Sequence, residues 1–233
     1  MRCTFVLIFL FLSASVMGQS QLLAKNYFSQ GEYEKAISVY EKLVRRNPRR
    51  LDLLKSLVEA NQQLRQFEVA EKLLVNKLGS GNISPQLYIE LGHNYALQEN
   101  DSLANYNYQL AVDFVERSPN YILNVGKTFE SYNLLDYAVM AYEKVMVVSP
   151  RLDFNMQLAR IYGEQGNHEK MFAKYVNLIE KNPSNKPIAQ RNFSLYISED
   201  PANEGNIILR KILIKKIKND PNILFNELLS WLF

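Results

Sequence analysis

Cysteine and histidine are nearly missing from these 233 residues: there is one cysteine, Cys3, and there are two histidines, His93 and His168. Cys3 lies in an N-terminal segment read below as removable. Past it there is no thiol, no disulfide and no cysteine-based metal site. The two histidines fall at different points of the sequence pattern and make no metal-ligand spacing. A glycine-rich phosphate loop, a Gly-x-Ser-x-Gly elbow and a His-Glu-x-x-His stretch are all absent. Carboxylate pairs such as Glu32/Glu34 stand where helices begin, which the helix dipole favours. Catalysis and a bound cofactor are therefore not expected. An excess of one charge is lacking too: the formal net charge is +3, and it falls by one if Arg2 is removed. That is no basic stripe, so nucleic acid is not an expected partner. Long apolar runs are missing beyond the first residues, and nothing there approaches the roughly 20 residues a membrane span needs.

What is present begins with a leader. Arg2 precedes an apolar run from Phe5 to Leu12 and a stretch of small residues, Ser13–Gly18. This is the pattern of a secretory signal peptide over 1–18, with Val16 and Gly18 at the −3 and −1 positions and cleavage before Gln19. Cys3 stands too early to be the lipid-modified cysteine of a lipoprotein. A composition rich in Asn, Lys, Tyr and Ile suggests an exported bacterial protein. Periplasmic residence is the expectation, secretion the alternative, with no stable membrane insertion after the leader is gone. Three Asn-x-Ser triplets, at Asn82, Asn100 and Asn192, are what an asparagine-rich chain yields by composition.

The remainder repeats itself. Ala36, Ala70, Ala104, Ala138 and Met171 recur at steps of 34, 34, 34 and 33. Each is followed by a bulky residue: Tyr40, Leu74, Tyr108, Tyr142, Tyr175. Each is preceded by a small or modest one: Ala24, Val58, Gly92, Gly126, Ala159. A further column reads Tyr27, Asn61, Tyr95, Phe129 and Tyr162. Such a period marks a solenoid, in which each unit must stack on neighbours to bury its apolar face. Helical spacing from Leu22 to Phe28 and from Tyr33 to Val44 makes each unit a helix pair. Gly31 and Gly166 supply the left-handed residue between the helices, with Arg65, Glu99 and Asn133 at the same place in other units. Asn47-Pro48, Ser149-Pro150 and Asn182-Pro183 end second helices. Ser84-Pro85 and Ser118-Pro119 read as an N-cap followed by proline at the first helical position.

With Ala24, Tyr27, Ala36, Tyr40 and Pro48 in the first unit, and Gly126, Phe129, Ala138, Tyr142 and Pro150 in the fourth, the chain resembles the tetratricopeptide repeat family. The second unit is the weakest match, with Asn61 and Leu74 in aromatic columns, and the fifth has Met171 where alanine is usual. The resemblance implies an all-α fold, a right-handed α-solenoid of antiparallel helix pairs with five units over 19–183. A divergent sixth unit covers 184–221, with a first helix over Pro187–Ser198, an Asp200-Pro201 cap and a second helix to about Lys218. The first helix of an incomplete seventh occupies 222–233. There Leu224, Phe225, Leu228, Leu229, Trp231, Leu232 and Phe233 would have no second helix to pack on. Either the chain is a fragment of a longer protein or this end docks on a partner.

The resemblance also implies a concave groove lined by set positions of the first helices. One column reads Gln21, Lys55, Ile89, Leu123 and Met156; another reads Lys25, Glu59, His93, Lys127 and Arg160. The expected partner-binding residues are Lys25, Lys55, Ile89, His93, Leu123, Lys127, Met156 and Arg160. Three cations in the second column, Lys25, Lys127 and Arg160, would make a positive stripe beside an increasingly apolar one. That suits an extended or helical segment with a carboxylate or two; a solvated face is the plain alternative. Lys55 is followed by Glu59 and not asparagine, so the terminal-carboxylate grip of some family members is not carried over. The basic second helix of the sixth unit, with Arg210, Lys211, Lys215, Lys216 and Lys218, reads as a solvated face more readily than as a membrane-surface helix. The function expected is an exported, non-catalytic scaffold that binds a protein or peptide. The alternatives are the repeat portion of a larger signalling, DNA-binding or enzymatic protein, and an element that self-associates through its C-terminal apolar helix.

Overall fold

The computed structural model describes residues 19–81 and 84–233, and every regular element among them is helical. The leader over 1–18, with Cys3, Val16 and Gly18, and the triplet at Asn82 lie outside the described residues. First helices are α1 (19–29), α3 (Leu51–Gln63), α5 (Gln86–Ala96), α7 (Ile122–Ser131), α9 (Asn155–Glu164), α11 (Lys186–Phe193) and α13 (Ile223–Leu232). Second helices are α2 (Tyr33–Arg46), α4 (Phe67–Leu78), α6 (Asp101–Arg117), α8 (Leu135–Val148), α10 (His168–Lys181) and α12 (Glu204–Asn219). The fold is all-α, built of successive helix pairs, and the chain divides into two compact units, 1–114 and 115–233, each a stack of such pairs.

The turn inside each of the first five pairs is the same object. Gly31, Arg65, Glu99, Asn133 and Gly166 all lie in the left-handed region, at φ 76°, 57°, 60°, 57° and 71°. The residue after each sends its N–H back to the carbonyl of Tyr27, Asn61, Tyr95, Phe129 or Tyr162, at 2.8–3.0 Å. This is the six-to-one bond of a Schellman end, which satisfies a carbonyl the helix leaves open. One column of the repeat therefore has two roles: its side chain packs and its carbonyl ties the turn. Asn61 is fully buried in that column, and its amide donates to the Leu57 carbonyl at 2.7 Å, so a polar residue is tolerated there.

The alanine column and the later bulky column are buried in all five units. The small column is small because of the bulky one. A Cβ on Gly92 would lie 2.5 Å from a ring carbon of Tyr108, and one on Gly126 would lie 2.3 Å from the Tyr142 ring. In the first unit of the division, α3 feeds two successive layers. Leu53 and Leu57 pack with Ala24, Ala36 and Tyr40, while Leu54 and Val58 pack with Ala70, Leu74, Leu87 and Leu91. A helix buried on both flanks gains from each neighbour, at about 1.5–3 kcal/mol per fully buried aliphatic side chain. In the second unit Tyr142 reaches from α8 to Phe154 at 5.1 Å between ring centroids, bridging one pair to the next.

The expected ends need four corrections. Ser84 does not cap α5: the helix starts at Gln86, and the Ser84 hydroxyl meets the Gln86 side-chain oxygen at 3.0 Å. Pro119–Tyr121 forms a 3-10 turn before α7, and Ser118 makes no side-chain cap bond. α11 stops at Phe193, short of Ser198, because the chain folds back to bring the Tyr196 carbonyl against α12; a Cβ on Gly205 would sit 2.3 Å from that oxygen. α12 starts at Glu204, not after Asp200-Pro201. Asn203 is its cap, accepting from the Asn206 N–H at 3.1 Å. Buried Asn206 then fastens the preceding loop, donating to the Ser198 and Asp200 carbonyls at 2.7 and 2.8 Å.

The C-terminal helix also differs from expectation. Leu224, Phe225, Leu228 and Leu232 are buried, since α13 lies back on α12, with Lys216 over the Phe225 ring and Trp231 6.3 Å from Phe193. Its apolar stripe closes the sixth pair, and Ile223 and Phe233 are the side chains left most exposed.

Candidate functional site

On α7, Leu123, Lys127 and Glu130 share one side at i, i+4, i+7 spacing; on α9, Met156 and Arg160 are one turn apart. Leu123 is 49% exposed and Met156 38%, and Lys127 is exposed. The two helices are joined at this face by charge. Arg160 pairs through Nη2 with Glu130 and through Nη1 with Glu164 at 3.1 Å. The Tyr142 hydroxyl donates to the other Glu130 oxygen at 3.1 Å. Burial drives the Tyr142 phenol well above its ordinary range, and the Glu130 charge adds to this. One carboxylate thus ties α7, α8 and α9. Next to it, Tyr162 donates to Glu143 at 3.2 Å and Lys174 reaches the same oxygen at 2.8 Å. Burial, then the Glu143 charge, pushes the Tyr162 hydroxyl up to about 12.

This changes the electrostatic expectation. Arg160 does not contribute a free positive charge, because two carboxylates hold it. Lys127 makes no ion pair among the described residues and is the cation this face offers. Glu130 lies about one helical turn after Lys127 on α7, and Arg160 follows Lys127 by one repeat of 33 residues, so the 30-residue spacing of Glu130 and Arg160 was the signal for the pair.

The first unit of the division presents a different surface. Lys25 is exposed on α1, and neighbouring Gln21 accepts from Arg50 at 3.0 Å. Lys55 reaches the Glu90 carboxylate at 2.9 Å, and that carboxylate is almost wholly enclosed. Glu59 beside them is raised above the ordinary carboxylate range by burial, with Lys55 opposing and Glu90 reinforcing the shift. His93 is lowered, by burial first and by the Lys55 charge second, so it adds no cation at neutral pH. Ile89 is corrected: it is 0% exposed, since α5 is buried on nearly every side, and it cannot touch a partner. Asn94, fully buried on the same helix, takes a bond from Gln62 at 3.1 Å and gives one to the Phe67 carbonyl at 3.0 Å. Glu90 and Asn94 lie outside the repeat columns, so periodicity passed over both.

His168 packs against the Tyr196 ring, 4.6 Å between centroids and tilted by 52°. Among the described residues, no group of three or more His, Cys, Asp and Glu side chains could hold a metal ion, and no helix is long and apolar enough to cross a membrane.

A family profile described as Tetratricopeptide repeat matches residues 21–50. No curated protein matches the sequence. Among solved structures the chain is similar to the C-terminal part of a TPR repeat-containing protein from Cytophaga hutchinsonii, with 19% identity and a TM-score of 0.41 over 85% of this chain and 78% of that one. It is also similar to a thermophilic TPR protein of Thermus thermophilus, at 16% identity and TM-score 0.38 over 76% and 97%. A third similarity is to the MamA protein, at 18% and 0.37 over 75% and 96%.

Proposed function

We propose that this tetratricopeptide repeat chain is an exported, non-catalytic scaffold that holds a segment of another protein against α7 and α9. The observation that carries the reading is the pair of exposed apolar side chains, Leu123 and Met156, on adjacent first helices beside the exposed Lys127. A partner segment that sets apolar residues on Leu123 and Met156 and a carboxylate on Lys127 would use all three. The Glu130–Arg160–Glu164 cluster beside them is already satisfied, so its part is to fix the angle between α7 and α9.

The test is site-specific photo-crosslinking in the native host, with the crosslinker at Leu123, at Met156 and, as control, at exposed Lys42. One protein captured at the first two positions and not at the third supports the reading. Equal capture at all three, or loss of nothing on Leu123→Ser/Lys127→Glu substitution, overturns it. Export rests on the leader over 1–18. A fusion of residues 1–18 to a reporter active only outside the cytoplasm should be active, and an inactive fusion rejects export.

A further inference from the structure

α12 has two opposed apolar sides. Leu209 and Leu213 are buried where it packs on α10 and α13. At about 100° per residue, Ile207, Ile214 and Lys218 fall within roughly 20° of a single line on the other side, with Arg210 on one flank and Lys211 and Lys215 on the other. These six line a surface depression of about 530 Å³, and each of them is exposed. Ile207 is 47% and Ile214 38% exposed, although two turns of polar side chains would have kept this side soluble without them. The helix has five cations and a single carboxylate, Glu204, at its first residue. Lys216, which points elsewhere, is held by Glu180 at 2.6 Å. Within the depression Lys211 has only a long contact with Glu169, 3.9 Å, between side chains that both lie mostly in water.

We propose that this side of α12 is a second docking surface, and that it takes an acidic amphipathic segment of another protein. Apolar side chains of that segment rest on Ile207 and Ile214, and its aspartates or glutamates face Arg210, Lys211, Lys215 and Lys218. Charge complementarity selects the occupant: four cations around two isoleucines repel a basic segment and leave a neutral one with charges it cannot match. An anionic bilayer is the weaker fit. A helix that lies in a membrane surface uses a broad apolar side with aromatic or leucine side chains, whereas here two isoleucines sit in a recess with Lys211 and Lys218 beside them. This surface is independent of the one on α7 and α9.

The experiment uses the full chain and a fluorescein-labelled helical peptide with leucines at i, i+3 and i+7 flanked by glutamates. Two companions replace its glutamates with glutamine or its leucines with serine. Anisotropy at low salt should show binding of the parent and at least about tenfold weaker binding of both companions. Lys211→Glu/Lys215→Glu and Ile207→Ser/Ile214→Ser should each weaken the parent by about tenfold at unchanged circular dichroism, while Leu123→Ser/Lys127→Glu leaves it unchanged. Should the reversed-charge variant unfold, Lys211→Gln/Lys215→Gln is read in its place. No binding of the parent, equal binding by the serine companion, or indifference to the α12 substitutions overturns the proposal. So does co-sedimentation with phosphatidylglycerol vesicles in the absence of peptide binding.

Discussion

Arg65, Glu99 and Asn133 hold the left-handed turn that Gly31 and Gly166 hold elsewhere. An L-residue with a Cβ loses about 1–2 kcal/mol in that conformation, less for asparagine, and glycine returns part of the difference through its freer unfolded state. Glu99→Gly is therefore expected to raise stability by about 0.5–1 kcal/mol, and Asn133→Gly by less, as read from urea midpoints at constant slope. A second residue-scale consequence concerns acid. Burial, and then the Lys55 charge, lowers the His93 imidazole below its ordinary 6.5. The unfolded chain thus takes up this proton first, and stability falls as pH drops through the ordinary imidazole range toward the lowered folded value. His93→Gln should remove that component, flattening the melting temperature between about pH 7 and 5 relative to wild type. An unchanged acid slope would show that His93 protonation is not coupled to unfolding.

Between elements, one polar join is centred on Glu130, where Arg160 of α9 and the Tyr142 hydroxyl of α8 meet a mostly enclosed carboxylate of α7. The guanidinium is half exposed, so its share is modest, and the phenol bond adds a similar amount. Glu130→Gln should cost about 1–2 kcal/mol, and a double-mutant cycle with Tyr142→Phe should give a coupling near 1 kcal/mol, measured by chemical denaturation. A zero coupling would reduce the contact to surface decoration. Helix pairs were legible in the sequence because their determinants are local and periodic: the 34-residue columns, the left-handed turns and the prolines after Asn47, Ser149 and Asn182. The sixth unit was legible only in outline. Its boundaries depend on Asn206 and Gly205 meeting the loop at Ser198–Asp200, contacts that no period announces. The candidate face was half legible: Leu123, Lys127 and Met156 are exposed as their columns imply. Ile89 and Arg160 depart because burial and ion pairing are decided by neighbours on other helices.

At the scale of the whole chain, stability in a stack is a sum of local terms and nearest-neighbour interfaces. The two compact units, 1–114 and 115–233, each carry a core of their own, so injury to one has a restricted reach. Leu57 lies in the layer with Ala24, Ala36 and Tyr40, and Phe225 is fully buried in α13 against the last pair. Leu57→Ala is expected to cost about 2–4 kcal/mol and Phe225→Ala about 3–5. Because the sites share no partner, the two losses should add to within about 0.5 kcal/mol in the double variant. Native-state hydrogen exchange gives the sharper reading. Phe225→Ala should speed exchange in α12 and α13 while α2 and α3 keep their protection, and Leu57→Ala should do the reverse. In an all-or-none fold either substitution would lower protection everywhere by the same amount. Finding that uniform loss would mean the stack unfolds as one cooperative body, and the docking faces on α7, α9 and α12 would then be lost together whenever any pair opened.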